Sequence, residues 1–188
     1  MRKPAILALA DGSIFRGVSI GAEGGTSGEV VFNTALTGYQ EILTDPSYCQ
    51  QIVTLTYPHI GNTGWNTEDN ESAKIWVSGF VVRNPSPVTS NWRSENDLEA
   101  ELVSQNIVGI SGVDTRALTR HLRDRGAMRV GIFSGEELSR EEMVVEVRKM
   151  QQMSGSFLSE DVSTNTNYVV RAANKKYHVV ALDLGIKA

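Results

Sequence analysis

Strands in the first half and helices in the second predict a domain of mixed α and β class, and three features of the 188-residue sequence carry that expectation. An Asp11-Gly12 pair stands between two apolar runs near the start, and β-branched and aromatic residues dominate as far as Val82. Capping residues followed by apolar positions at helical spacing begin only at Ser94.

The runs 5–10 and 13–20 read as a hairpin, because Asp-Gly supplies the positive φ angles of a tight turn. Residues 21–28, rich in Gly, Ser and Thr, read as a loop, and 29–34 as a third strand. The stretch 35–47 is mixed, with Gly38 and Pro46 as punctuation. A fourth strand is expected over 51–57, a polar loop over 62–72 and a long fifth strand over 74–82.

Ser94 followed by Glu95, Asn96 and Asp97 looks like a helix start, with Leu98, Leu102 and Val103 at helical spacing. Asp114 opens a second helix carrying Leu118 and Leu122 and closed by Gly126. Ser139 opens a third, with Met143, Val144, Val147 and Met150 on one face. Short apolar runs at 107–110 and 128–133 read as strands between them. Residues 154–176 are polar and linker-like. The run 177–185 has the near-continuous apolar character of a buried parallel strand, as many α/β domains open. With nothing after it to pair with, the expectation is a chain cut at the start of a second domain.

Composition is that of a water-soluble globule, 40% hydrophobic and 21% charged, and the net charge of −4 repels phosphate backbones and anionic lipid, which argues against nucleic-acid or membrane partners. Arg116, Arg120, Arg123, Arg125 and Arg129 are interleaved with Asp114 and Asp124 and read as a solvated helix face. One cysteine, no apolar leader and no run of roughly 18–20 apolar residues together favour the cytoplasm. The sequon at Asn70 then has no consequence.

Candidate chemistry is sparse. Gly21, Gly24, Gly25 and Gly28 lack the spacing of a phosphate-binding loop, and His59, His121 and His178 lack partners at metal-ligand spacing. Cys49 has no flanking cation to make it a thiolate, so it reads as an inert, partly buried thiol. The stretch 37–48 packs polar, aromatic and turn-forming residues without periodicity. Its composition leaves open a ligand or partner contact and a self-packed loop.

Several blocks carry a resemblance: Gly28-Glu-Val-Val-Phe-Asn-Thr34, Thr37-Gly-Tyr-Gln-Glu-Ile-Leu-Thr-Asp-Pro-Ser-Tyr48, Gln51-Ile-Val-Thr-Leu-Thr-Tyr-Pro58, Ile60-Gly-Asn62 and Gly112-Val-Asp-Thr-Arg116. In this order they closely resemble the start of carbamoyl-phosphate synthetase small subunits. The resemblance implies a non-catalytic N-terminal domain over 1–153 with a three-layer β/β/α swivelling-type fold, a linker over 154–176, and over 177–188 the start of a class I glutamine amidotransferase domain. It implies no catalytic residue and no cofactor in this chain, because the Gly-Ile-Cys-Leu-Gly-His-Gln segment of the amidotransferase nucleophile is absent and Cys49 is not that residue. It further implies that Ser47 contacts L-glutamine bound in the neighbouring amidotransferase domain. The other implied partner is a large synthetase subunit that holds ATP and divalent metal, the two together serving pyrimidine and arginine synthesis.

Overall fold

Asp11 and Gly12 reverse the chain where the sequence places a turn. In the computed structural model, which describes residues 2–135 and 138–187, β1 (Pro4–Leu9) and β2 (Ile14–Gly21) run antiparallel with Ile6 opposite Arg16. Gly12 takes φ +94°, a region that costs an L side chain energy and glycine almost none. Met1 and Ala188, the ends of the expected first and second domains, lie outside the described residues.

The third strand is longer than its composition suggests. β3 (Gly24–Asn33) runs through the glycines expected to form a loop, pairing antiparallel with β9 (Met128–Ser134) from Gly24 opposite Ser134 to Val30 opposite Met128. Gly28 belongs there for steric reasons: a Cβ at that position would stand 2.6 Å from the Gln50 carbonyl oxygen. On its other edge β3 pairs in parallel with β4 (Gln51–Leu55), two residues shorter than expected.

The expected long strand over 74–82 is mostly irregular, and only β6 (Gly79–Val81) joins the ladder, parallel to β4. The reason is where its backbone bonds go. The Trp76 amide donates to the Leu43 carbonyl at 3.0 Å and the Ser78 amide to the Gln51 carbonyl at 2.8 Å, so this stretch binds a helix end and a strand start, while Ile75 and Val77 are still buried. Two-residue strands β5 (His59–Ile60) and β7 (Asn84–Pro85) form a separate parallel pair.

β8 (Val108–Ser111) completes the main sheet, which closes on itself in the order β1-β2-β8-β6-β4-β3-β9. The class is mixed α and β with strands first and helices later, and the β layers are one sheet closed into a barrel. Leu7, Leu9, Val30, Ile52, Val81, Ile110 and Ile132 fill one core, to which α3 (Thr115–Arg125) adds Leu118 and Leu122. A second core joins Val53, Leu55 and Phe80 to α1 (Tyr39–Thr44) and α2 (Leu98–Ser104), and a third seats α4 (Arg140–Lys149) against Ala8 and Phe133.

Caps fix the helix starts. Asp97, not Ser94, caps α2: its Oδ1 accepts from the Ala100 amide at 2.7 Å, while the Ser94 hydroxyl turns to the Asn96 carbonyl at 3.0 Å. Val103 is exposed rather than on the apolar face. Asp114 caps α3, and Ser139 with Glu142 forms a reciprocal capping box on α4. Beyond residue 150 the described structure holds a single four-residue helix, α5 (Ser159–Val162), inside the expected linker, and the run 177–185 forms no strand.

Candidate functional site

The mixed stretch before β4 is a helix followed by a tight turn. Gly38, at φ +79°, lets the chain enter α1, and Pro46 opens a single 3-10 turn over Pro46–Tyr48. Asp45 caps that turn, its Oδ1 accepting from the Ser47 amide at 2.8 Å. Ser47 is exposed at the apex of a loop whose flanks, Asp45, Pro46 and Cys49, are all buried. Tyr48 is tied to the end of β3, its hydroxyl accepting from the Asn33 amide nitrogen at 2.9 Å.

Side chains behind α1 clamp it to the loop over 62–72. Gln40, 4% exposed, donates through Nε2 to the Asn66 carbonyl and, at 2.7 Å, to Asn70 Oδ1, and its Oε1 accepts from the Asn66 amide at 3.1 Å. The Tyr39 hydroxyl donates to the Gly64 carbonyl, and burial pushes that phenol above its usual range. The Thr44 hydroxyl accepts from the Glu71 amide at 2.9 Å, and the Ser72 hydroxyl donates to the Thr44 carbonyl at 2.6 Å. A polar network that is satisfied at each of these atoms holds one geometry, so the exposed apex is carried on a rigid base.

The distant end of the chain reaches this loop. The Lys187 ammonium donates to Asp45 Oδ2 at 2.8 Å, so one carboxylate carries the Ser47 amide on one oxygen and the tail on the other. Burial alone would raise the Asp45 carboxyl, but the hydrogen bonds from Lys187 and Ser47 outweigh it and hold the group below the ordinary carboxylate range. The same bond raises Lys187. Gln50, at φ +61°, donates to Asp161 of α5 at 3.0 Å.

Ser47 is thus the sequence candidate that ends at an exposed apex. Asp45 was legible as turn chemistry beside Pro46, whereas Gln40 and Lys187 carry no local signal, since both act on residues far along the chain. Cys49 is 7% exposed, and burial followed by the Asp161 carboxylate pushes its thiol up, away from the nucleophilic thiolate. His59 and His178 are exposed, and His121 Nε2 lies 2.7 Å from Asp11 Oδ2. Arg116, Arg120 and Arg123 share an exposed face of α3 as expected, and Arg125, also exposed, lies half a turn away with its Nη1 3.5 Å from Asp11 Oδ2. Arg129 leaves that group, donating to the Arg148 and Met150 carbonyls at the end of α4. Among the described residues no three His, Cys, Asp or Glu side chains converge as metal ligands, and no helix is long and apolar enough to cross a membrane.

A family model described as carbamoyl-phosphate synthase small chain, CPSase domain, matches residues 7–132. The carbamoyl phosphate synthase small chain of Streptomyces coelicolor is 62% identical over 188 residues, which is 99% of this chain and 50% of that one. Those of Corynebacterium diphtheriae and Pseudomonas putida are 55% and 52% identical, covering 99% and 100% of this chain and 50% and 53% of theirs. The chain therefore spans about half the length of these curated relatives. A crystal structure of a peptidase M28 precursor from Shewanella amazonensis covers 72% of this chain and 34% of its own at 10% identity with a TM-score of 0.37, too slight a likeness to bear on fold or function.

Proposed function

We propose, from the premise that this chain belongs to the carbamoyl-phosphate synthase small-chain family, that it is the N-terminal, non-catalytic part of a glutamine-dependent synthase. In this reading it supports glutamine hydrolysis in an adjoining amidotransferase domain and binds the large synthetase subunit. That subunit uses ATP, with divalent metal, to join the released ammonia to bicarbonate. The product is carbamoyl phosphate for pyrimidine and arginine synthesis in the cytoplasm.

The observation that carries the reading is the Lys187–Asp45 contact. Lys187 ends the stretch that resembles the opening of the amidotransferase domain, and it bonds to the carboxylate that also holds the Ser47 turn. That contact supports a glutamine site beside Ser47, whose exposed hydroxyl contributes one hydrogen bond to the substrate. The opposite reading, an independent cysteine hydrolase built on Cys49, is disfavoured by the burial of that thiol and its raised pKa.

The test is Ser47→Ala in the full-length small chain assembled with its large chain. Losing one ground-state hydrogen bond costs roughly 0.5–1.5 kcal/mol, so KM for glutamine rises about two- to tenfold with kcat little changed. An unchanged KM would leave the domain a purely structural module. Glutamine turnover by residues 1–188 alone that disappears in Cys49→Ala would favour the hydrolase.

A further inference from the structure

We infer that the loop carrying Trp92 is the docking anchor for a partner protein that presents an apolar pocket rimmed by lysine and arginine, which on the reading above is the large chain of the synthase. Trp92 is 92% exposed, the most exposed large apolar side chain among the described residues. Leaving an indole in water is costly, and tryptophan is the residue most enriched among those that dominate binding energy at interfaces.

What distinguishes Trp92 from the exposed apolar residues of the tail is the rigidity of its support. The Ser90 amide donates to the Asn62 carbonyl at 2.9 Å, and the Ser86 hydroxyl to the Val88 carbonyl at 2.7 Å. Asn91 Oδ1 accepts from the Arg93 amide at 3.0 Å, and the Ser94 amide donates to the Asn91 carbonyl at 3.1 Å. The Arg93 guanidinium is held by Asp69 and, at 3.6 Å, by Glu68. The loop is therefore ordered before any partner arrives, and an anchor that loses little entropy on binding keeps more of its burial energy. Val88, itself 69% exposed, lines an adjoining groove of about 210 Å³ between this loop and α2, with Pro85 and Leu98 as apolar wall.

Charge identifies the occupant. Between Arg83 and Glu101 the sequence has two cations, Arg83 and Arg93, and four carboxylates, Glu95, Asp97, Glu99 and Glu101, a net of 2 − 4 = −2. Arg93 is already paired with Asp69 and Glu68, and Arg2 reaches only Glu99. The segment that carries the anchor is thus net acidic, which favours a partner with a basic rim over an acidic one. A second copy of this chain, with its own acidic loop, is a poor fit by the same argument.

The measurement is the affinity of the full-length small chain for the large chain, by sedimentation or titration calorimetry, in wild type, Trp92→Ala, Trp92→Phe and Glu95→Lys. Trp92→Ala weakens association on the order of thirty-fold, Trp92→Phe restores most of it, and Glu95→Lys slows association and flattens its salt dependence. Because Trp92 is exposed, thermal unfolding of the free small chain stays at the wild-type temperature. Unchanged affinity in Trp92→Ala, with wild type still binding, overturns this surface and leaves the family reading standing. Self-association lost in Trp92→Ala, with large-chain binding intact, assigns the loop to a second copy and also overturns it. A wild-type small chain that does not bind the large chain removes both readings.

Discussion

Met128–Ser134 and Tyr177–Gly185 are both short apolar runs of strand-forming residues, and they end in opposite states. β9 lies between β1 and β3, with Val130 and Ile132 fully buried. The later run forms no ladder, and Tyr177, Val179, Val180 and Leu182 are each more than 80% exposed. Strand propensity measures fit to a pleated, half-buried surface, so an apolar run becomes a strand only where neighbours offer unpaired edges and a face to cover. The barrel supplies both edges for β9. For 177–185 the described residues supply point contacts and no ladder: Asp183 accepts from the Tyr168 hydroxyl at 2.7 Å and the Thr164 amide at 3.3 Å, and Lys187 reaches Asp45 just beyond the run.

Truncating matched side chains tests that contrast most severely. Ile132→Ala removes a fully buried side chain and lowers unfolding free energy by about 2–5 kcal/mol, whereas Leu182→Ala changes it by less than about 0.5 kcal/mol. Urea denaturation of both variants reads the difference, and equal losses would mean that the later run is packed after all.

A smaller effect separates the helices of the two regions. α4 begins with a reciprocal capping box and packs Met143 and Val147 against the barrel, whereas α5 has no side-chain cap and no buried residue. Ser139→Ala leaves the Glu142 amide without its partner and costs about 1 kcal/mol, read in the same urea titration. A loss near zero would show that packing alone sets the start of α4.

The smallest effect is the pH dependence of the link between the regions. The Asp45 carboxyl lies below its ordinary 3.8, so its contribution is present above that value and lost as pH falls through the lowered one. Lys187 lies above its ordinary 10.5, so its contribution is present below that value and lost as pH rises through the raised one. The contact is therefore intact from about pH 4 to beyond pH 10. The Gly185 and Ile186 amides donate to Asp183 Oδ1 at 2.9 and 2.7 Å, and that carboxyl is also held below its ordinary range, so acid alone frees them. The arm that isolates the Asp45–Lys187 pair is Asp45→Asn at neutral pH, where amide hydrogen exchange at Ile186 and Lys187, corrected for intrinsic rate, accelerates. Exchange indifferent to Asp45→Asn would show that the tail is not held by this pair.

Much of the barrel was legible because its signals are local. Asp11-Gly12 requires a turn by backbone sterics, Asp114 and Ser139 satisfy orphan helix amides within three residues, and the apolar run 128–133 marks a strand whose residues from Val130 on are all buried. Two expectations failed where long-range partners decided, and a third failed locally. Gly24 and Gly25 joined a strand because β9 offered an edge. Residues 74–78 left the ladder because Leu43 and Gln51 took their amides, and Ser94 lost its cap role to Asp97. Within the candidate site the Asp45-Pro46-Ser47 turn was readable from residue type, but α1 was hidden, since its Tyr39 and Gln40 are held by residues 24–30 positions away.

By itself, then, the sequence determined the class, the order of most elements and the Asp45-Pro46 turn, because turns, caps and apolar periodicity act over a few residues, while Ser47 was singled out by resemblance alone. Only the tertiary structure decided that seven strands close into one barrel, that Gln40 clamps the loop beneath Ser47, that Lys187 returns to Asp45 and that Trp92 stands in water on a hydrogen-bonded loop. Each of these joins residues with no local pattern in common, and such contacts form only where the rest of the fold has already brought the partners within reach.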